Sequence, residues 1–285
     1  MIRRSCRIVP LILLVALAVA GCRREAEVPG GAASGPAPDP AAAITDADAR
    51  GEEPRVLEDV MESDPRYIIG ISYPPGINRH PGLAAEIGRY ADAARADLMD
   101  AVEARDPEAP GAGAPYDLSL PFDMVMQSPE VVAVQATGTS YTGGAHGAPL
   151  VARFVWLPGR NEMLRAEALV EGPDAWNDVS AFVRESLHGA LSQRLDADEN
   201  LEPEDRARLQ RSGGRMIDEG TGPDAANFAH FEPLPGADGR LRGLRFVFPP
   251  YQVGPYSDGV QTVDVPASVL LPHVSEPYRS LFAPN

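Results

Sequence analysis

Two stretches hold the side chains whose types and spacing could do chemistry: Tyr141-Thr142-Gly143-Gly144-Ala145-His146-Gly147 and Phe248-Pro249-Pro250-Tyr251-Gln252-Val253-Gly254-Pro255-Tyr256. An imidazole takes or gives a proton near neutral pH and is a common metal ligand. His146 is therefore the candidate base or ligand, with Asp123 and Asp258 as the carboxylates that could serve it. A metal needs more, since His80, His146, His188, His230 and His273 are widely separated and form no H-x-x-x-H pair. No metal site, cofactor or catalytic residue is assigned. The tyrosines point to a different chemistry. Rings on a proline-stiffened loop lose little entropy on binding and offer both apolar area and a hydroxyl, which suits recognition. The alternative is that they pack on the protein's own sheet. The candidate binding residues are Tyr141, Thr142, His146, Pro250, Tyr251, Pro255 and Tyr256.

Other catalytic motifs fail on their mechanics. Gly138-Thr139-Ser140-Tyr141-Thr142 approaches the G-x-S-x-G elbow, but its last position is Thr and no helix follows to expose the serine. Asp196-Ala197-Asp198-Glu199-Asn200-Leu201 begins like a calcium loop, yet Leu201 stands where the turn glycine is needed and Ala207 where the bidentate Glu is needed. There is no lysine in the chain, which removes a Walker-type phosphate lysine, Schiff-base catalysis and Ser-x-x-Lys nucleophiles together.

The elements that must carry these stretches follow from periodicity. Glu130–Tyr141 and Pro149–Leu157 are apolar and β-branched and flank the Gly-rich segment, so the first stretch reads as a hairpin turn. Tyr116–Gln127 alternates at Leu118, Leu120 and Phe122, and Tyr67–Ser72 is a further strand closed by Pro74-Pro75. Leu83, Ile87, Tyr90, Ala94, Leu98 and Val102 recur at helical spacing, and Asp106–Pro115 is a loop. A second helix spans Asp174–Leu195, with Asp174 as N-cap and Trp176, Val179, Phe182, Val183, Leu187, Ala190 and Leu191 on its buried stripe. The acidic run Asp196–Asp205 leads into a short helical or irregular segment. Phe228–Pro233, Leu241–Phe248 and Val260–Val265 form a second strand group, and the second stretch leaves the middle of these strands. The element order predicts an α+β fold, antiparallel sheets with two main helices packed on them.

The amino terminus carries an address. Arg3, Arg4 and Arg7 precede an apolar run from Ile8 to Ala20, too short to span a bilayer comfortably but suited to a signal peptide. Val19-Ala20-Gly21-Cys22 resembles the lipobox of bacterial lipoproteins, in which the signal is cut before the cysteine and that cysteine is acylated. Residues 1–21 are thus expected to be removed and Cys22 to carry lipid. Arg23 after it is similar to lipoproteins sent to an outer membrane, which places the chain on the periplasmic side of the cell envelope. Cys6 leaves with the signal, so no thiol remains for a disulfide, a nucleophile or a zinc site. Residues 22–54 are Ala, Gly, Pro and acid and read as a flexible tether. Removing the signal leaves 22 arginines against 41 acidic residues, a net charge of −19 from −16 for the whole chain. That excludes nucleic acid as a partner and favours a cationic one.

Taken as a pair and in this order, the two stretches resemble the bacterial extracytoplasmic module shared by the N-terminal, non-catalytic region of PdaC-type peptidoglycan deacetylases and by lysozyme-sensing anti-sigma factors. The resemblance covers roughly Tyr67 to His273. It implies an α+β module divided here into a 55–165 PdaC-like part and a 166–285 part with the Tyr-Pro loop. It also implies an envelope protein that binds lysozyme or peptidoglycan. The chain departs from those relatives in lacking a sigma-binding segment and the Asp and His metal ligands of the deacetylase. An envelope enzyme acting on wall glycan or peptide through His146 is the alternative, and a purely structural lipoprotein is the third.

Overall fold

A hairpin opens the folded part: β1 (Val60–Asp64) turns through Pro65-Arg66 into β2 (Tyr67–Ser72). The Asp64 carboxylate accepts from the Arg66 backbone N–H at 2.9 Å and from its guanidinium. Those two bonds hold the Asp64 carboxyl below the usual carboxylate range. The computed structural model describes residues 55–106, 113–172 and 174–283, all within one compact unit. The signal peptide, Cys22 and the tether lie outside the described residues. β1 is absent from the sequence reading because only Val60 and Met61 of its five residues are apolar.

Helix α1 (Pro81–Glu103) begins with proline in its first turn, where a missing N–H costs nothing. Leu83, Ile87, Tyr90, Ala94, Leu98 and Val102 are all buried, as their spacing predicts. On its outer side Arg95 pairs with Glu62 and Asp92 with Arg55. The helix carries the chain back, so that β3 (Tyr116–Gln127) pairs with β2 in parallel. It is the one parallel pair in a sheet otherwise antiparallel, as expected: a crossover of helix length is what a parallel pair requires. β4 (Val132–Tyr141), β5 (Ala148–Leu157) and the two-residue β6 (Glu162–Met163) add on antiparallel, giving one six-stranded sheet in the order β1 to β6.

Both faces of this sheet are used, and the alternation assigns them. Val132, Val134, Ala136, Ala152, Phe154 and Trp156 point to α1, where Tyr90 meets Phe122 and Phe154 edge-on at 6.2 and 5.8 Å. Val131, Ala133, Val155 and Leu157 point the other way, into a second core. Two-sided burial is why this part of the sequence is continuously apolar rather than alternating. A bulge between Met124 and Met126 lets Val125 and Met126 reach the second core from β3.

That second core is closed by α3 (Ala175–Ala197), reached through the short α2 (Ala166–Leu169), and by a three-stranded antiparallel sheet. Its strands are β7 (Phe231–Pro235), β8 (Leu241–Phe248) and β9 (Gln261–Pro266), with α5 (Ala267–Leu270) following. Trp176, Val179, Val183, Leu187 and Leu191 of α3 are buried. Phe182 is half-buried and Ala190 exposed, against expectation. Steps of four residues advance the stripe by about 40° each, so by Leu191 and Leu195 the buried side has turned away from Ala190. Asp174 stands at the N-cap, yet its side chain caps no backbone N–H and accepts instead from the Asn177 amide at 3.3 Å. The expected strand from Phe228 is a 3-10 turn over Ala225–Phe228, with β7 starting three residues later.

The segment after Asp205 is no short or irregular piece. It belongs to α4 (Pro203–Gly220), an eighteen-residue helix with proline and two acids in its first turn. Only Gly214, Ile217 and Gly220 of it are buried, so it has no apolar stripe to read. It approaches α3 through glycine: a Cβ on Gly213 would lie 2.9 Å from Leu191 Cδ2.

The two sheets are joined by one buried ion pair. Arg153 of β5 and Glu232 of β7 meet at 2.5 Å, with side chains 5 % and 12 % exposed. Burial pushes the Arg153 guanidinium down from the usual arginine range, and Glu232 opposes that shift. Because a lone buried charge is so unfavourable, removing either partner is expected to lower stability by about 3–5 kcal/mol, whereas an apolar replacement of both costs much less. Urea unfolding of Arg153→Ala, Glu232→Ala and the pair Arg153→Met with Glu232→Leu checks this. Single variants within 1 kcal/mol (order of magnitude) of the parent would show that the pair does not hold the sheets together.

Candidate functional site

The β4–β5 hairpin turns through Gly143 and Gly144 at φ +102° and +89°, a region that side chains other than glycine rarely enter. The Tyr141 hydroxyl donates to the Gly144 carbonyl at 3.2 Å, so this ring braces the turn from which it starts. Thr142 and His146 stand exposed on it.

The loop after β8 is tied down at four points. The Tyr251 N–H donates to Gly254 O at 2.9 Å, and the Gln252 N–H to Pro249 O at 3.1 Å. The Gln252 side-chain amide donates to Gly220 O and Asn227 O, both at 2.9 Å, fastening the loop to the end of α4. Val253 enters the core. Beyond it a 3-10 turn, Tyr256–Asp258, is held by an ion pair between Arg194 of α3 and Asp258 at 2.7 Å. Gly220 has to be glycine, since a Cβ there would fall 2.0 Å from Gln252 O.

This fastening brings the two stretches together. The Tyr251 hydroxyl is 3.2 Å from His146 Nε2, and the Tyr256 ring stacks on the imidazole with centroids 4.0 Å apart and planes 13° apart. Tyr251 and Tyr256 are themselves 5.7 Å apart. Because His146 Nδ1 lies 3.2 Å from the Gly147 carbonyl, which only accepts, the proton of a neutral imidazole belongs on Nδ1. Nε2 then accepts from the Tyr251 hydroxyl. Of the seven candidate residues, His146, Tyr251 and Tyr256 touch one another; Pro250 and Pro255 flank these rings, while Tyr141 and Thr142 belong to the turn alone.

The geometry bears directly on the catalytic candidates. Asp123 pairs with Gln135, six residues along β4 from Tyr141, about 20 Å at 3.3–3.4 Å per residue. Asp258 is engaged by Arg194. Among the described residues the hydrogen-bond contacts of His146 are a tyrosine hydroxyl and a backbone carbonyl, which orient the ring. Among the described residues no group of three or more His, Cys, Asp or Glu could hold a metal ion. His188 and His273 make pairs with Asp218 and Asp178 elsewhere on the surface.

Gln252, Asn227 and Gly220 position the site and escape a reading of sequence alone, since a glutamine between a tyrosine and a valine carries no motif. Tyr251 has a further mark, φ +76°, with the residue 38 % exposed. A bulky residue in the left-handed region costs on the order of 1–3 kcal/mol. Tyr251→Gly relieves that strain while losing exposed ring contacts, so its stability is expected to stay within ~1 kcal/mol of the parent. Gln252→Ala, which strips two carbonyls of their donor, is expected to cost about 1–3 kcal/mol. Urea unfolding of both variants is the check, and a loss above ~2 kcal/mol in Tyr251→Gly would make Tyr251 a structural residue.

The family model described as "Protein of unknown function (DUF3298)" matches residues 177–268. No curated protein matches the chain. Among solved structures, a DUF3298 family protein from Pseudomonas aeruginosa PAO1 is 14 % identical with a TM-score of 0.47, covering 80 % of this chain and 96 % of that one. A DUF3298 family member from Bacteroides fragilis NCTC 9343 is 15 % identical with a TM-score of 0.45, covering 79 % and 95 %. The matched stretch takes in most of α3, all of α4, the Tyr-Pro loop and β7 to β9, and thus includes Tyr251 and Tyr256 but not His146: residues 177–268 are similar to a family of unknown function, DUF3298.

Proposed function

We propose that this chain is a non-enzymatic envelope lipoprotein, anchored through Cys22 on the periplasmic side of the outer membrane. Its ring cluster, His146, Tyr251 and Tyr256, binds a cationic protein of the lysozyme type. The observation that carries this reading is the convergence of two stretches 105 residues apart on one exposed surface, joined by the Tyr251–His146 hydrogen bond. A loop fastened by Gln252, Val253 and Asp258 presents its rings at little entropic cost. Tyr251 is held in a strained backbone conformation of the kind that clusters at functional sites. Long-range attraction comes from the net charge, −16 for the whole chain and −19 once residues 1–21 are removed. The resemblance to the module of PdaC-type deacetylases and lysozyme-sensing anti-sigma factors supplies the class of partner.

Titration calorimetry of the chain against lysozyme, at low and at moderate salt, tests this. Binding is expected to weaken as salt rises. Tyr251→Ala and Tyr256→Ala are each expected to lower affinity at least about tenfold, as central aromatic contacts do. No heat at either salt would remove lysozyme as the partner. Unchanged affinity in both variants would move the interface elsewhere, and retention of the chain on insoluble peptidoglycan without lysozyme binding would make the wall polymer the ligand.

A further inference from the structure

Asp-Gly occurs twice in the sequence, as Asp238-Gly239 and Asp258-Gly259, and Asn-Gly does not occur. This dipeptide carries a reaction of its own. The backbone nitrogen of the glycine can attack Cγ of the aspartate before it, because no Cβ on the glycine crowds the approach. The fold holds the two copies in opposite states. We propose that Asp238 is a site of spontaneous covalent modification, passing through a cyclic imide to isoaspartate, and that Arg194 keeps Asp258, beside the ring cluster, from the same reaction.

The connection from β7 to β8 turns at residues 236–240, closed by the Gly236 N–H donating to Arg240 O at 2.6 Å. Asp238 and Gly239 are exposed at its tip. Asp238 Oδ1 accepts from the Arg240 N–H at 3.1 Å, which folds the carboxyl back across the Gly239 peptide. The Gly239 N–H, in a residue at φ +82°, donates to no hydrogen bond among the described residues. The attacking atom is thus unengaged, its target is folded toward it, and water reaches both.

At Asp258 each of these conditions is reversed. Its carboxylate is drawn off by Arg194 of α3, 2.7 Å from Oδ2, and its side chain is only 19 % exposed. The Gly259 N–H donates to Tyr256 O at 3.0 Å, and the Gln261 side-chain amide donates to Asp258 O at 2.6 Å, so the peptide between them is held on both sides. Ring closure there would have to break the contacts with Arg194 and Tyr256.

The chemistry consumes nothing but water. On closure a bond forms between Gly239 N and Asp238 Cγ; the carboxyl gives up its hydroxyl and the nitrogen its proton, which leave together as water. Hydrolysis returns that water to one of the two imide carbonyls. Addition at Cγ restores aspartate. Addition at the main-chain carbonyl breaks the original peptide bond and leaves the chain running through the side chain, with no change of mass or oxidation state.

The full chain is held in warm, mildly alkaline buffer, which favours attack by the nitrogen, beside a sample unfolded in urea. Isoaspartate is counted as methyl groups transferred by a protein isoaspartyl methyltransferase, and it is located by separating the isomeric peptides before mass spectrometry. In the folded chain the Asp238 peptide is expected to convert and the Asp258 peptide to stay unchanged, while both convert in urea. Asp238→Glu, which would need a larger ring, is expected to lose the signal at that position. Arg194→Gln is expected to raise conversion at Asp258 at least about tenfold, since misplaced reacting groups lose more than that in rate. Conversion at Asp238 unchanged in that variant reports an intact fold, and Arg194→Lys, which keeps the charge, is expected to leave Asp258 silent. An Asp238 peptide that converts in urea but not in the folded chain overturns the proposal, as does equal conversion at the two aspartates in the folded parent. An Asp258 peptide as silent in Arg194→Gln as in the parent overturns the role given to Arg194.

Discussion

The contact on which the remaining structure depends is the buried pair of Arg153 and Glu232. A guanidinium inside a protein must have its donors satisfied. Arg153 reaches this by donating to the carbonyls of Ala136 and Ala152, at 3.0 and 2.8 Å, as well as to Glu232. The charge continues outward as a ladder. Glu232 pairs in register with Arg245, and Arg245 binds Asp264 on β9 with a charge-assisted bond of 2.6 Å that holds the Asp264 carboxyl below its usual range. Opposite charges thus alternate across four strands and fix the second sheet's position on the first.

The position of the site follows from that lock. β5 runs from the hairpin at Ala148 toward Arg153, and β8 runs from Arg245 toward Phe248 and the Tyr-Pro loop. With Arg153 paired to Glu232 and Arg245 opposite Glu232 in register, the far ends of these strands are delivered to one place. There Tyr251 and Tyr256 meet His146. The Gln252 amide and the Arg194–Asp258 pair then stop the loop from swinging, so the rings are ordered before any partner arrives. The imidazole's free lone pair is spent on the Tyr251 hydroxyl, and the cluster acts as one amphipathic surface.

Much of this was legible in the residues, and the gaps have physical causes. Two-sided burial made Val131–Val134 an apolar run, and helical spacing marked α1 and most of α3. The mixed α+β class followed from their order. α4 reads in sequence only as a short helical or irregular segment because glycines, not leucines, make its contact with α3. The parallel pairing of β2 with β3 was hidden because local sequence carries no sign of strand direction. The candidate stretches were visible as glycine and proline signals around tyrosines. Their juxtaposition was not, since it rests on Arg153 and Glu232, 79 residues apart, and on Gln252, whose partners are backbone carbonyls with no sequence mark.

The central claim is that His146 and the Tyr-Pro loop form a single binding surface, and a double-mutant cycle measures it. Lysozyme affinity is determined for the parent, His146→Ala, Tyr256→Ala and the double variant. Stacked rings that bind as a unit predict a coupling of about 0.5–1.5 kcal/mol between the two substitutions. Effects that add within ~0.3 kcal/mol, or a His146→Ala variant that binds as the parent does, would contradict it.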